Sequence, residues 1–194
     1  MRLDLDALTT YSAGTIATEH AEQAGVLVPV IEREGAHHVL FTERSDQMPT
    51  HAGEMSFPGG GWEEGDDDLT ATALREAHEE VGLHPDEAEV LGRLDDVPGP
   101  YGHVVRPVVA RVTDRAYRPT SREVAQVVVL PVAALTDPVN YSEERRSHPE
   151  RGTATLPFFR VDGHVVWGLT GFIVRTLLDL TTDWDPPDRG ERLG

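Results

Sequence analysis

Apolar positions along the chain follow two rhythms. Residues 24–31, Ala-Gly-Val-Leu-Val-Pro-Val-Ile, are almost continuously apolar, as in a buried strand. A turn over 32–35 leads to a return strand over 38–42. Further short apolar runs predict strands over 90–94, 104–112 and 124–130, with a short helix over 131–135. In 69–82 the rhythm changes to three- and four-residue intervals, which predicts a helix. Asp66, Asp67 and Asp68 are its N-cap candidates and Gly82 is its terminator. A second helix is expected over 170–180. Before it, 156–160 and 164–167 form a hairpin turning at Asp162-Gly163. Residues 43–68, rich in Gly, Pro and acid, read as loop with a short strand near 55–57, and 136–152 read as polar loop.

Strands interleaved with two main helices point to an α/β sandwich with a mixed sheet in a single domain, over 21–183. Residues 1–20 are expected to form an N-terminal arm and 184–194 a loose C-terminal tail. A chain of 194 residues suits one domain with a full core.

Composition narrows the chemistry. Without cysteine, disulfides, zinc–thiolate sites and thiol catalysis are excluded. No run is long and apolar enough to span a membrane, and the first residues lack a signal-peptide layout, so a cytoplasmic location is expected. The formal net charge is −17, and all 17 basic residues are arginine. That field repels nucleic acid and anionic membranes, and neither is an expected partner. Heavy acid with no lysine also suggests a halophilic source, where salt screens the self-repulsion.

The acidic helix carries the main signal. At about 100° per residue, Ala73, Leu74, Ala77 and Val81 fall on one face and Glu76, Glu79 and Glu80 on another. Glu76 and Glu80 are like charges at i, i+4, a pair that destabilises a helix by a few tenths of a kcal/mol. The preceding loop contains Gly59-Gly60-Gly61, which lets backbone approach a ligand closely. Clustered carboxylates beside such a loop suit Mg²⁺ or Mn²⁺, and a divalent ion would turn the repulsion into coordination. The alternative is a solvated acidic face with an Arg75–Glu79 pair.

The run Arg75-Glu76-Ala77-His78-Glu79-Glu80-Val81-Gly82-Leu83 resembles the core of the Nudix box without a gap. Upstream, Gly61 and Asp67 stand where the box has a glycine and a glutamate, with Asp66 a rival for the acidic role. The resemblance implies the α/β/α Nudix sandwich, with Glu76, Glu79 and Glu80 as metal ligands. Arg75 would orient them, and the Gly59 carbonyl would be a further ligand.

A narrower resemblance, to the coenzyme A pyrophosphatase branch, rests on Leu40-Phe41-Thr42-Glu43-Arg44-Ser45, then Gly53, then Phe57-Pro58-Gly59-Gly60. The spacing from Arg44 to Gly60 matches. Phe41 replaces a leucine, and Pro49 replaces an arginine that would meet phosphate. Arg106-Pro107-Val108-Val109 and Val166-Trp167-Gly168-Leu169-Thr170 extend the likeness. It implies hydrolysis of CoA or its derivatives to 3′,5′-ADP and 4′-phosphopantetheine; a monomer or homodimer is expected. Arg44, Ser45, Gly59 and Gly60 would contact this CoA-like nucleotide substrate, with pairing to a loop carboxylate as the alternative for Arg44.

Glu123, just before a strand, is a candidate general base, with an exposed loop acid as the alternative. Arg145 and Arg146 lie in the densest arginine cluster of the chain. They would recognise the 3′-phosphate of CoA, or else pair with neighbouring glutamates on the surface. Trp167 reads as core, and His51, His78 and His103 as structural or surface groups. ADP-ribose, NADH or another nucleoside diphosphate derivative is the alternative substrate, and a non-catalytic nucleotide sensor is a more distant reading.

Overall fold

Strand β1 (Gln23–Arg33) is apolar through its middle because both of its faces are covered. The computed structural model describes residues 1–17, 23–46, 53–99, 102–148 and 152–187. Pro49, His51 and Arg151, with 18–20 of the expected arm and 188–194 of the expected tail, lie outside the described residues. On one side of β1, Leu27 and Ile31 pack with Ala73, Ala77 and Val81 of helix α2 (Leu69–Val81). On the other, Val28 and Val30 share a core with Phe159, Leu177 and Leu178.

Strand β2 (Ala36–Arg44) returns antiparallel from Arg33↔Ala36 to Val30↔Val39. Its turn residues, Glu34 and Gly35, have φ of 51° and 76°, the left-handed pair of a tight hairpin. Strand β7 (Val104–Val112) runs parallel to β1. β5 (Ala88–Arg93) and β6 (Val97–Pro98) pair antiparallel with β7, and β8 (Val124–Pro131) pairs antiparallel with β2. The sheet is therefore mixed, as expected.

The β1–β2 ladder extends inward only to Val30↔Val39, and residues 55–61 bridge the two strands beyond it. There β3 (Met55–Ser56) bonds to β2, and β4 (Gly59–Gly61) bonds to β1. The glycine run expected as loop is thus strand, held in register against Ala24, Gly25 and Val26.

The opposite layer differs from a plain helical layer. Helix α4 (Gly168–Thr181) packs there with a three-stranded antiparallel sheet of β9 (Tyr141–His148), β10 (Gly152–Val161) and β11 (His164–Trp167). β9 occupies much of the segment expected as polar loop. Its polarity is tolerated because ion pairs neutralise it: Glu144 meets Arg146 and Arg160, and Glu143 meets Arg175. The short helix expected near 131–135 is α3 (Val132–Leu135).

Both ends contribute to the core. In the segment expected as an arm, Leu3, Leu5 and Leu8 are buried, and helix α1 (Asp6–Thr10) lies against β5. Leu3 N–H donates to His37 Nδ1 at 2.7 Å and Asp4 N–H to the Thr181 carbonyl at 2.7 Å. In the segment expected as a tail, Trp184 packs edge-on against Tyr141, with ring centroids 5.0 Å apart. Among the described residues no helix is long and apolar enough to cross a membrane.

Candidate active site

Helix α2 starts at Asp68, whose side chain accepts from the amides of Thr70 and Ala71. It ends at Gly82, in the left-handed conformation with φ of 66°. Its contact face is built from small residues, so it lies close to the sheet. A Cβ at Gly25 of β1 would stand 2.3 Å from the Leu69 carbonyl oxygen. This approach brings the carboxylate face of α2 to the edge of β4.

Two glycines of β4 receive that face differently. The register, with Leu27 N–H on the Pro58 carbonyl and Trp62 N–H on the Gln23 carbonyl, makes Gly25–Gly60 a hydrogen-bonded pair. The main-chain groups of Gly59 and Gly61 therefore face away from β1. Gly59 N–H donates to Glu80 Oε2 at 3.3 Å, and the Gly61 carbonyl accepts from Arg75 Nη2 at 3.0 Å. The same alternation turns the Gly59 carbonyl to the open side, where it could serve as a ligand. Gly60 makes room: a Cβ there would lie 2.4 Å from Glu76 Oε1.

Arg75 organises the helix start. Its guanidinium grips Asp66 through two bonds of 3.0 Å, donates to Glu76 Oε1 at 2.9 Å and lies 3.6 Å from Glu79 Oε1. Asp66 also accepts from Thr72 Oγ1 at 2.8 Å, whereas Asp67 is exposed. The structure thus separates the two candidate acids. The acid that holds Arg75 is Asp66, and the glycine that makes room for Glu76 is Gly60, each one residue before Asp67 and Gly61. The bond to Arg75 holds the Asp66 carboxyl well below the usual range.

The carboxylates differ in environment. Glu79 is exposed and Glu76 partly buried. Burial pushes Glu76 upward, against the opposing pull of Arg75. Burial pushes Glu80 up to about 8, and the charges of Glu76 and Glu123 add to this. The Gly59 amide and Arg44 oppose it. Among the described residues no three carboxylate or imidazole groups are gathered as a preformed metal cluster. Glu76 is turned to Arg75 and Glu80 to the Gly59 amide. The donor set nevertheless fits a hard divalent cation: two carboxylates that burial makes costly to ionise beside an open backbone carbonyl.

Glu123 arrives from the other side. Its carbonyl accepts from Ser45 N–H at 2.7 Å, and its Oε2 lies 3.9 Å from Arg44 Nη1. Arg44 sits at a bulge where β2 meets Val124 of β8. The fold thus brings Arg44, Ser45, Gly59, Gly60, Arg75, Glu76, Glu79, Glu80 and Glu123 to one end of the sheet, where β1 and β8 begin and β2 ends. Arg145 and Arg146 lie instead on β9. Arg146 bonds to Glu144 at 2.5 Å and lies over the Phe158 ring at 5.3 Å. No hydrogen bond or ion pair among the described residues ties either arginine to α2 or β4. Trp167 stacks on Phe158 at 5.4 Å, and His78 meets His84 edge-on.

Thr120 was not legible as part of this site. Its hydroxyl donates to the Glu79 carbonyl at 2.7 Å and its amide to the Glu80 carbonyl at 2.9 Å. A threonine some forty residues after the helix carries no local signal of such a contact.

A NUDIX domain family model matches residues 21–150. The chain is 39% identical to the human mitochondrial coenzyme A diphosphatase NUDT8 over 161 residues, which cover 81% of this chain and 68% of that protein. It is 37% identical to the uncharacterized Nudix hydrolase NudL of Enterobacter sp. (strain 638) over 159 residues, 80% of each chain. A solved MutT/nudix family protein from Enterococcus faecalis superimposes with a TM-score of 0.51 at 14% identity, covering 85% of this chain and 69% of that one. RenU, a Nudix hydrolase from M. smegmatis, gives a TM-score of 0.50 at 23% identity, with 60% and 74% covered. These structures speak to the fold, a single mixed-sheet α/β domain. On the domain match and the two relatives, this chain belongs to the Nudix hydrolase family.

Proposed function

We propose that this Nudix hydrolase cleaves the diphosphate bridge of CoA or a CoA derivative to 3′,5′-ADP and 4′-phosphopantetheine, with Mg²⁺ or Mn²⁺. The observation that carries the chemistry is the convergence of Glu76 and Glu80 on β4, where a Cβ at Gly60 would meet Glu76 and the Gly59 amide meets Glu80. Glu76, Glu80 and the Gly59 carbonyl would hold the cation, with Glu79 beside them. When bound, the cation supplies charge neutralisation of the diphosphate and activation of water.

The side chains then have separate tasks. Arg75 fixes Glu76 through a direct bond and is itself fixed by Asp66. Glu123, exposed and facing Glu80, takes the proton of the attacking water. Arg44, 3.9 Å from Glu123, exchanges that loose pairing for a phosphate oxygen of the substrate. An acidic enzyme and an anionic substrate are thus reconciled by a local cation and a local arginine.

The substrate reading rests on the Arg44-to-Gly60 motif and on likeness to a CoA diphosphatase. It is tested with CoA, dephospho-CoA, ADP-ribose and NADH as alternative substrates, with Mg²⁺ and with Mn²⁺, products being identified by mass. CoA turning over best, to 3′,5′-ADP, is the expected result. A clear preference for ADP-ribose or NADH would replace the CoA reading and keep the diphosphate chemistry.

A further inference from the structure

The segment from Arg115 to Glu123 is wrapped around the C-terminal end of α2. Arg115 donates to the Gly82 carbonyl at 2.7 Å while its other bonds go to Glu87 and to the Ala116 carbonyl, and its guanidinium lies 4.1 Å from the Tyr117 ring centroid. Five residues on, Thr120 meets the helix again. Its amide and its hydroxyl take the carbonyls of Glu80 and Glu79, which as members of the last turn have no intrahelical donor. The fit is close, since a Cβ at Gly82 would lie 3.2 Å from Thr120 Cγ2.

From Thr120 the path to Glu123 is short and tied at each step. Ser121 Oγ accepts from Glu123 N–H at 3.1 Å, closing a turn. The Glu123 carbonyl is held by Ser45 N–H at 2.7 Å. Glu123 thus hangs from two anchors, α2 through Thr120 and β2 through Ser45. The first anchor is made to the carbonyls of Glu79 and Glu80, whose side chains lie beside Arg75 and on the Gly59 amide.

We propose that Thr120 is a positioning residue: its hydroxyl on the Glu79 carbonyl sets where Glu123 stands relative to Glu80. This rests on the reading of Glu123 as general base. The physical reason is one of length. A single residue that caps two successive carbonyls leaves the turn no freedom to slide along the helix, and Glu123 follows only three residues later. Misplacement of a reacting group by ~1 Å can cost up to about 10²-fold in rate.

The experiment is a double-mutant cycle between Thr120→Val and Glu123→Gln in the full chain. kcat and KM are measured on the best substrate of the panel above, and Mn²⁺ affinity by electron paramagnetic resonance. Valine keeps the shape and the amide and removes only the hydroxyl. Thr120→Val should lower kcat by about 10-fold with KM and Mn²⁺ affinity nearly unchanged. In the Glu123→Gln background it should cost little more, because the group it positions is already gone. Thr120→Ser, which keeps the donor, should recover most of the loss. Additive losses, parallel loss of Mn²⁺ affinity, or wild-type kcat in Thr120→Val would each overturn the proposal. Wild-type kcat in Glu123→Gln would overturn the general-base reading as well, so the two failures are told apart.

Discussion

The carboxylate of Glu76 occupies the space that a side chain at Gly60 would need, with its Oε1 2.4 Å from the site of a Cβ. The nearest contacts at two other glycines are with backbone: a Cβ at Gly59 would lie 2.5 Å from the Gly25 carbonyl, and one at Gly25 would lie 2.3 Å from the Leu69 carbonyl. A side-chain tip can move, and a strand or a helix end cannot do so cheaply.

Gly60→Ala and Gly25→Ala should therefore fail in different ways. Gly60→Ala displaces Glu76 and leaves the fold, so kcat should fall by at least ~10-fold with little change in melting temperature. Gly25→Ala forces α2 off the sheet and should cost about 1–3 kcal/mol or more. Denaturant unfolding and turnover, measured on both variants, separate the two effects. A cooperative loss of stability in Gly60→Ala would contradict this division.

Asp66 rather than Asp67 holds Arg75. Asp66→Asn removes the charge opposite a bidentate guanidinium and should lower both stability and kcat. Asp67→Asn, at an exposed position, should stay within ~0.5 kcal/mol of wild type. The reverse order would return the acidic role to Asp67.

Glu80 titrates at about 8 instead of its ordinary 4.5, first because it is buried and then because Glu76 and Glu123 face it. The unfolded chain gives up this proton near the ordinary value, while the fold keeps it until about pH 8. In metal-free buffer Glu80 therefore contributes stability that is fully present below the ordinary value and is lost as pH rises toward 8. Glu80→Gln cannot ionise. The stability of wild type relative to this variant should fall as pH rises through that window, read by urea unfolding. A flat or rising difference would contradict the burial argument. With Mg²⁺ the ionised form is favoured, and calorimetry in two buffers at pH 7 should show proton release on binding. At saturating Mg²⁺, Glu80→Gln should fold and lose at least ~10²-fold in kcat.

Arg146 is engaged by Glu144, which also receives Arg160. If that network is the whole role of the cluster, Arg145→Ala/Arg146→Ala leaves the ratio of kcat/KM for CoA and dephospho-CoA unchanged. A selective loss on CoA would return these arginines to the 3′-phosphate.

A net charge of −17 without lysine should make the fold salt-dependent. The Debye length falls from ~10 Å at about 0.1 M salt to ~3 Å at about 1 M, which suppresses repulsion among surface carboxylates. Melting temperature should therefore rise between low and molar KCl, and equal stability at both would rule out halophilic adaptation.

Much was legible locally. The helix over 69–81 was written by its periodicity, by an aspartate before it and by Gly82 after it, since capping and left-handed backbone are one-residue effects. The hairpins at Glu34-Gly35 and Asp162-Gly163 were written in the same way. Carboxylates on one face of α2 beside a glycine run followed from spacing alone. The register of the acid did not, because choosing Asp66 over Asp67 depends on which side chain reaches Arg75 once the 63–66 turn closes. Strand β9 was hidden because its polar residues are matched by partners on β10 and α4, which no local pattern displays. The placing of Glu123 beside Arg44 and within electrostatic reach of Glu80, and the meeting of Thr120 with the end of α2, were decided only by tertiary structure. Residues about forty positions apart become neighbours through strand pairing and through bonds to helix-end carbonyls, and a threonine able to make such a bond carries no signature of its distant partner.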